Sequence, residues 1–117
     1  MRDPLPDPER LHHILDAPAE IESYIQGNSF EIFFNNSMMR YAVIKQLEII
    51  GEAANNLSEK LQLENNHIEW SKIASLRNLL VHEYFGVDSM LIWQIVTLDL
   101  PVLKSEVIRL LDAPDLH

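Results

Sequence analysis

Apolar residues recur every three or four positions along most of the chain, while the two-residue alternation of a half-buried strand is weak. Asp7 followed by Pro8 predicts a helix start: a carboxylate cap, then a proline at the first helical position, where its missing N–H is harmless. Leu11, Ile14, Leu15, Ile21 and Ile25 form one stripe running to about Gln26, and Gly27 and Asn28 end it. Pro18 falls inside this helix and is expected to kink it, since it cannot donate to the Ile14 carbonyl. Ser29 can cap a short helical turn over "FEIFF". Asn35 or Asn36 can cap a long helix to about Leu63, burying Met39, Ala42, Val43, Leu47, Ile50, Ala54, Leu57 and Leu61. Gly51, Ala53 and Ala54 make a thin spot in that helix. Glycine costs a helix about 1 kcal/mol relative to alanine, and a small-residue surface lets another helix approach closely.

"LENNHIEW" is a polar connection, and Trp70 opens a third long helix to about Tyr84, stopped by Gly86. Asp88 caps the last helix, "SMLIWQIVTLDLPVLKSEVIRLLD", which Pro101 kinks or divides, leaving Asp99 as a local cap. The sum is an all-α fold, an antiparallel up-and-down bundle of four main helices plus a short helical turn.

Composition narrows the class. At 117 residues, 47% of them hydrophobic, residues 1–117 are expected to fold as a single domain with one modest core. Only 3 Gly and no Cys argue against a disulfide scaffold, a glycine-rich phosphate loop and a thiolate metal site. No apolar run approaches the roughly 18 residues of a membrane span, and "MRDPLPDPER" lacks an apolar signal segment. A cytoplasmic protein without membrane contact is expected. The net charge of −9 weighs against nucleic-acid binding, which draws much of its affinity from Lys and Arg neutralising phosphates. Any RNA contact needs a local basic patch, or a more basic partner must cover much of the surface.

The segment "SLRNLLVHEYFG", residues 75–86, sets Arg77, Asn78, His82 and Tyr84 among apolar Leu76, Leu79, Leu80, Val81 and Phe85. On a continuous α-helix Arg77 and His82 project about 140° apart, whereas Arg77 and Tyr84 differ by about 20°. Three arrangements could still bring Arg77 and His82 to one site. The helix loosens near residues 81–83, the cleft is wide enough to be reached from two sides, or a two-fold dimer lets each protomer supply part of one pocket.

The order arginine, polar residue, three apolar residues, histidine, one residue, tyrosine in "RNLLVHEY" resembles the signature of the HEPN superfamily, and specifically of HepT-like toxins. The likeness extends over most of the chain, through "MRDPLPDPERLHHILDA", "MMRYAVIKQLEIIGEAANNLS", "LRNLLVHEYFGVD" and "DLPVLK". It implies an all-α HEPN bundle that forms a homodimer with its motif helices facing. It also implies a metal-independent endoribonuclease, the toxin of a toxin–antitoxin pair, encoded beside a minimal nucleotidyltransferase antitoxin of the MntA type. Such an antitoxin silences the toxin by transferring AMP from ATP to the motif tyrosine, here Tyr84. The motif arginine and histidine match Arg77 and His82, and the polar second residue matches Asn78. RNA, with tRNA and mRNA as candidates, is the implied substrate; DNA, a metal and a cofactor are not expected.

These residue types suit that chemistry. Metal-free RNA cleavage needs activation of the 2′-OH, protonation of the leaving 5′ oxygen, and stabilisation of charge on phosphorus. Histidine titrates near neutrality and serves as base or acid. Arginine stays cationic and grips phosphate with two donors. AMP on Tyr84 would set a bulky anion beside Arg77, neutralising the grip and blocking access.

Plainer roles stand beside these. His82 could be a helix-end cation favoured by the helix dipole, Arg77 an ion pair at the core edge, Asn78 an exposed helix residue, and Tyr84 a half-buried tyrosine with a satisfied hydroxyl. Glu52 is a candidate for holding Arg77, or a solvated glutamate. Glu83 is expected to be solvated or to touch the antitoxin. Arg40, Lys45 and Lys72 could line an RNA path but more commonly form a solvated face. His12 and His13, about 100° apart on a helix, do not chelate one metal from one face; His67 sits in a loop. Trp70 and Trp93 are expected to anchor the core or an interface. The alternative to the enzyme is a non-catalytic HEPN module that binds a nucleotidyltransferase partner or a nucleotide; a helical adaptor without a nucleic-acid role is a third reading.

Overall fold

A computed structural model of the chain describes residues 6–78 and 89–113. Every regular element among them is helical. The order is α1 (Asp7–Ile25), α2 (Phe30–Asn35), α3 (Ser37–Asn55), α4 (Glu59–Glu64), α5 (Trp70–Ala74), α6 (Ser89–Gln94) and α7 (Leu100–Asp112). A 3-10 turn, Ser75–Asn78, continues α5, and a π-helical stretch, Ile95–Asp99, joins α6 to α7. The helix stop at Gly86 and the cap at Asp88 lie outside the described residues.

Local chemistry accounts for most of the boundaries. The Ser29 hydroxyl accepts from the Ile32 N–H and starts α2, and the Asn36 side-chain oxygen accepts from the Met39 N–H and starts α3. Two expectations are corrected. Asp7 does not cap its own helix, whose N-cap is Pro6. Its carboxylate instead accepts from the backbone N–H and the hydroxyl of Ser58, tying the start of α1 to the start of α4. The long second helix stops at Asn55 rather than running to Leu63, because Ser58 caps a new helix through the Leu61 N–H. Pro18 lies buried inside α1, as its position in the sequence predicts.

Pro101 does divide the last helix, but Asp99 supplies no side-chain cap. Proline has no N–H to give the preceding turn, and the widened π turn ahead of it takes up the mismatch.

Side-chain contacts fix the directions of the rods. Asp7 meets Ser58 near one end of α1, and Tyr24 meets Gln46 near the other, so α1 and α3 are antiparallel. Glu22 pairs with Lys104 while Asp7 and Pro8 share a crevice with Arg109 and Leu110, so α1 and α7 are antiparallel. His67 pairs with Glu106 while Leu76 and Ile95 face one groove, so α5 runs opposite to α6–α7. This is the up-and-down order expected from the sequence.

The core between the rods holds Leu11, Ile14 and Ile21 of α1, Phe33 of α2, Val43, Ile44, Leu47 and Ile50 of α3, and Ile92, Leu103 and Val107 from the last helices. Met39 and Ala42, expected inside, are only half buried. Trp93 packs its ring on Phe33 at 5.2 Å. Trp70 is buried and donates its indole N–H to the Asn65 carbonyl.

Candidate functional site

The site begins with the small-residue face of α3. Gly51, Ala53 and Ala54 are buried, and the 3-10 turn that follows α5 lies directly on Gly51. A Cβ at Gly51 would stand 3.0 Å from the Leu76 carbonyl carbon and 3.1 Å from the Ala74 carbonyl oxygen, and closer still to the Arg77 backbone nitrogen. Only glycine lets the two backbones come this near. The close approach expected at the thin spot is therefore made, and it is made by the backbone that carries Arg77.

That contact positions a side chain as well. The Arg77 Nη1 lies 4.0 Å from Glu52 Oε2, with side chains 44% and 60% exposed respectively. An ion pair this exposed contributes at most about 1 kcal/mol, so its importance is orientation rather than stability. The other carboxylate oxygen of Glu52 accepts from Asn56 Nδ2 at 3.0 Å, and the same amide donates to the Glu52 backbone carbonyl at 2.9 Å. Asn78 ends the 3-10 turn and is exposed.

The 140° separation of Arg77 and His82 assumed an unbroken α-helix. Through Arg77 the chain turns about 120° per residue, as a 3-10 helix does, so that premise fails four residues before the expected loosening point. His82, Glu83 and Tyr84 lie outside the described residues.

Of the other candidates, Arg40 donates to the Phe34 carbonyl and thereby serves the α2–α3 corner. Lys45 and Lys72 are exposed, as are His12 and His13. His67 lies in the turn between α4 and α5, as expected, and belongs to a cluster. Its Nε2 lies 3.1 Å from Glu106 Oε2 and 3.1 Å from Arg109 Nη2, and Arg109 donates to Glu106 at 2.7 Å. The Arg109 hydrogen bond, then that of His67, holds the Glu106 carboxyl below the usual carboxylate range. Among the described residues no group of three or more His, Cys, Asp or Glu is gathered as a metal ion would need.

The partner that sequence reasoning missed is Asn56. The signal was available: Asn56 stands four residues after Glu52, a spacing at which an amide and a carboxylate meet on a helix.

A family model described as "Ribonuclease HepT-like" matches residues 14–110. The chain belongs to the HepT-like ribonuclease family. Gly51, Glu52, Asn56 and the whole "RNLLVHEY" segment of this HepT-like chain lie inside the matched span. The Methanocaldococcus jannaschii protein named "Putative RNase MJ1380" is 39% identical over 97 residues, which cover 83% of this chain and 89% of that protein. "Probable ribonuclease HepT" of Thermococcus cleftensis is 38% identical over 96 residues, covering 82% and 87%. A larger protein of Methanocaldococcus jannaschii, "Gamma-glutamylcyclotransferase and putative RNase MJ0434", is 39% identical over 105 residues, 90% of this chain. The HepT-like chain spans 47% of that relative's length. No solved structure matches the chain. Among the described residues no helix is long and apolar enough to cross a membrane.

Proposed function

We propose that this chain cleaves RNA without a metal ion and is the toxin of a toxin–antitoxin pair. The observation that carries the proposal is the seating of Arg77. A half-exposed guanidinium on a backbone pressed against Gly51, with Glu52 at its edge, suits a phosphate grip. Family membership supplies the reaction class.

In this reading the ribose 2′-OH attacks the adjacent phosphorus while His82 takes its proton. The P–O5′ bond breaks, and a second His82, from the other protomer of a homodimer, gives a proton to the leaving 5′ oxygen. Arg77 neutralises the phosphorane charge, and Asn78 orients the phosphate. The products are a 2′,3′-cyclic phosphate and a 5′-hydroxyl; DNA, lacking the 2′-OH, is not cut. An antitoxin of the nucleotidyltransferase class transfers AMP from ATP to the Tyr84 hydroxyl, releasing pyrophosphate and closing the site.

The test gives the purified chain tRNA and mRNA in EDTA, with DNA as control. Cyclic-phosphate ends from RNA and intact DNA are expected. The net charge of −9 favours a second reading, a non-catalytic module that docks on its nucleotidyltransferase partner. Absence of cleavage at high protein concentration, with Tyr84 shown by mass spectrometry to carry no AMP, would decide for that second reading.

A further inference from the structure

We propose that Asn56 is a positioning residue for Arg77, fixing one oxygen of Glu52 so that the other faces the guanidinium. The inference rests on the reading of Arg77 as the phosphate grip. Asn56 is the C-cap of α3: its backbone N–H reaches the Ala53 and Ala54 carbonyls, and its backbone leaves the helix. Its side-chain amide has two hydrogens, and both find acceptors on one residue. The Glu52 carbonyl, one of the last four of the helix, accepts at 2.9 Å, and Glu52 Oε1 accepts at 3.0 Å.

A glutamate on an exposed helix face otherwise samples several rotamers. Here the amide selects the one that directs Oε2 toward Arg77 Nη1. One carboxylate oxygen is thus spent on the cap and one on the arginine. The guanidinium, 44% exposed, has further donors for a phosphate. The end of α3 at Asn55, which apolar periodicity does not reveal, places this amide where a continuing helix would also bond its backbone.

The test compares wild type with Asn56→Gly, Asn56→Asp and Glu52→Gln. Glycine keeps a favourable helix stop while deleting the amide, so Asn56→Gly should fold. Aspartate keeps the shape and replaces the donor by an acceptor. Two readouts are needed. The first is the Arg77 Nε–Hε resonance by NMR, which requires no RNA. It should shift in Asn56→Gly and Asn56→Asp, and to a similar place in Glu52→Gln. The second is RNA cleavage in EDTA. Both Asn56 variants should lose about threefold in kcat with KM little changed, the scale of one partly exposed ionic contact. Adding Asn56→Gly to Glu52→Gln should cost nothing more, because the two act through one contact.

An Arg77 resonance unmoved by both Asn56 substitutions, or additive losses with Glu52→Gln, would overturn the proposal and leave Asn56 a helix cap. A shifted resonance in a chain whose wild type cuts no RNA would uphold the Asn56–Glu52–Arg77 linkage and overturn the ribonuclease reading.

Discussion

Gly51 and Arg77 meet through backbone alone. The 3-10 turn crosses α3 at its one glycine, and Arg77 leaves that crossing beside Glu52, the residue after Gly51. Helix packing and arginine placement are therefore one event in this fold.

Gly51→Ala tests that coupling. The added methyl would press on the Arg77 nitrogen, the Leu76 carbonyl carbon and the Ala74 carbonyl oxygen, all backbone atoms that cannot rotate away. Overpacking of this kind costs about 1–3 kcal/mol, partly offset by alanine's better helix propensity of about 1 kcal/mol. Thermal melting should show net destabilisation, and RNA cleavage by the folded fraction should also fall, because the turn must lift off α3. A more stable Gly51→Ala protein with full activity would refute the close contact.

Asp7 and Ser58 make the second long-range test. They are 51 positions apart in sequence, yet Asp7 accepts from both the Ser58 N–H at 2.9 Å and its hydroxyl. Asp7→Ala should destabilise by about 1.5–3 kcal/mol, the range for a hydrogen bond to a charged group. Ser58→Ala should lose the α4 cap as well. The double variant should cost less than the two singles together. Urea unfolding of the three variants measures this, and strict additivity would count against the bond.

Glu106 sets an acid-side dependence. Its carboxyl is held below the usual range by Arg109 and then by His67, so the fold favours the ionised form. A group with a depressed folded value contributes stability above its unfolded pKa and loses it as pH falls through the folded one. The stability difference between wild type and Glu106→Gln should therefore be constant at neutral pH and shrink as pH drops through and below the carboxylate range. Urea midpoints across pH 2–7 would check it; a gap that widens with acid would contradict the cluster geometry.

The sequence carried the all-helical class and the antiparallel order because those depend on local caps and on apolar period. Ser29 and Asn36 cap as their types predict, and Gly51 marks a close crossing. The break after Asn55 was hidden because Leu57 and Leu61 continue the apolar period and are both buried. Periodicity reports which side chains face the core, not which backbone bonds are made. Asp7 was misassigned because its partner is 51 positions away, and no local rule weighs that contact.

The candidate site was legible in part for the same reason. Arg77 and Glu52 stand out by residue type and by the adjacent glycine. The 3-10 winding at Ser75–Asn78 arises where the turn packs on α3, a tertiary fact that the sequence of α5 alone does not contain. Asn56 carried the i, i+4 spacing from Glu52 in the sequence, but its place as the C-cap of α3 depends on where that helix ends.

The proposed ribonuclease chemistry depends on the Arg77 guanidinium stabilising the reacting phosphate without help from a metal. Its most direct test is the single-turnover rate of RNA cleavage in EDTA by wild type and Arg77→Ala, each verified as folded by circular dichroism. Loss of one charge-stabilising donor should slow the reaction about 100-fold or more. An Arg77→Ala protein that cuts the same RNA at the wild-type rate would remove Arg77 from the reaction.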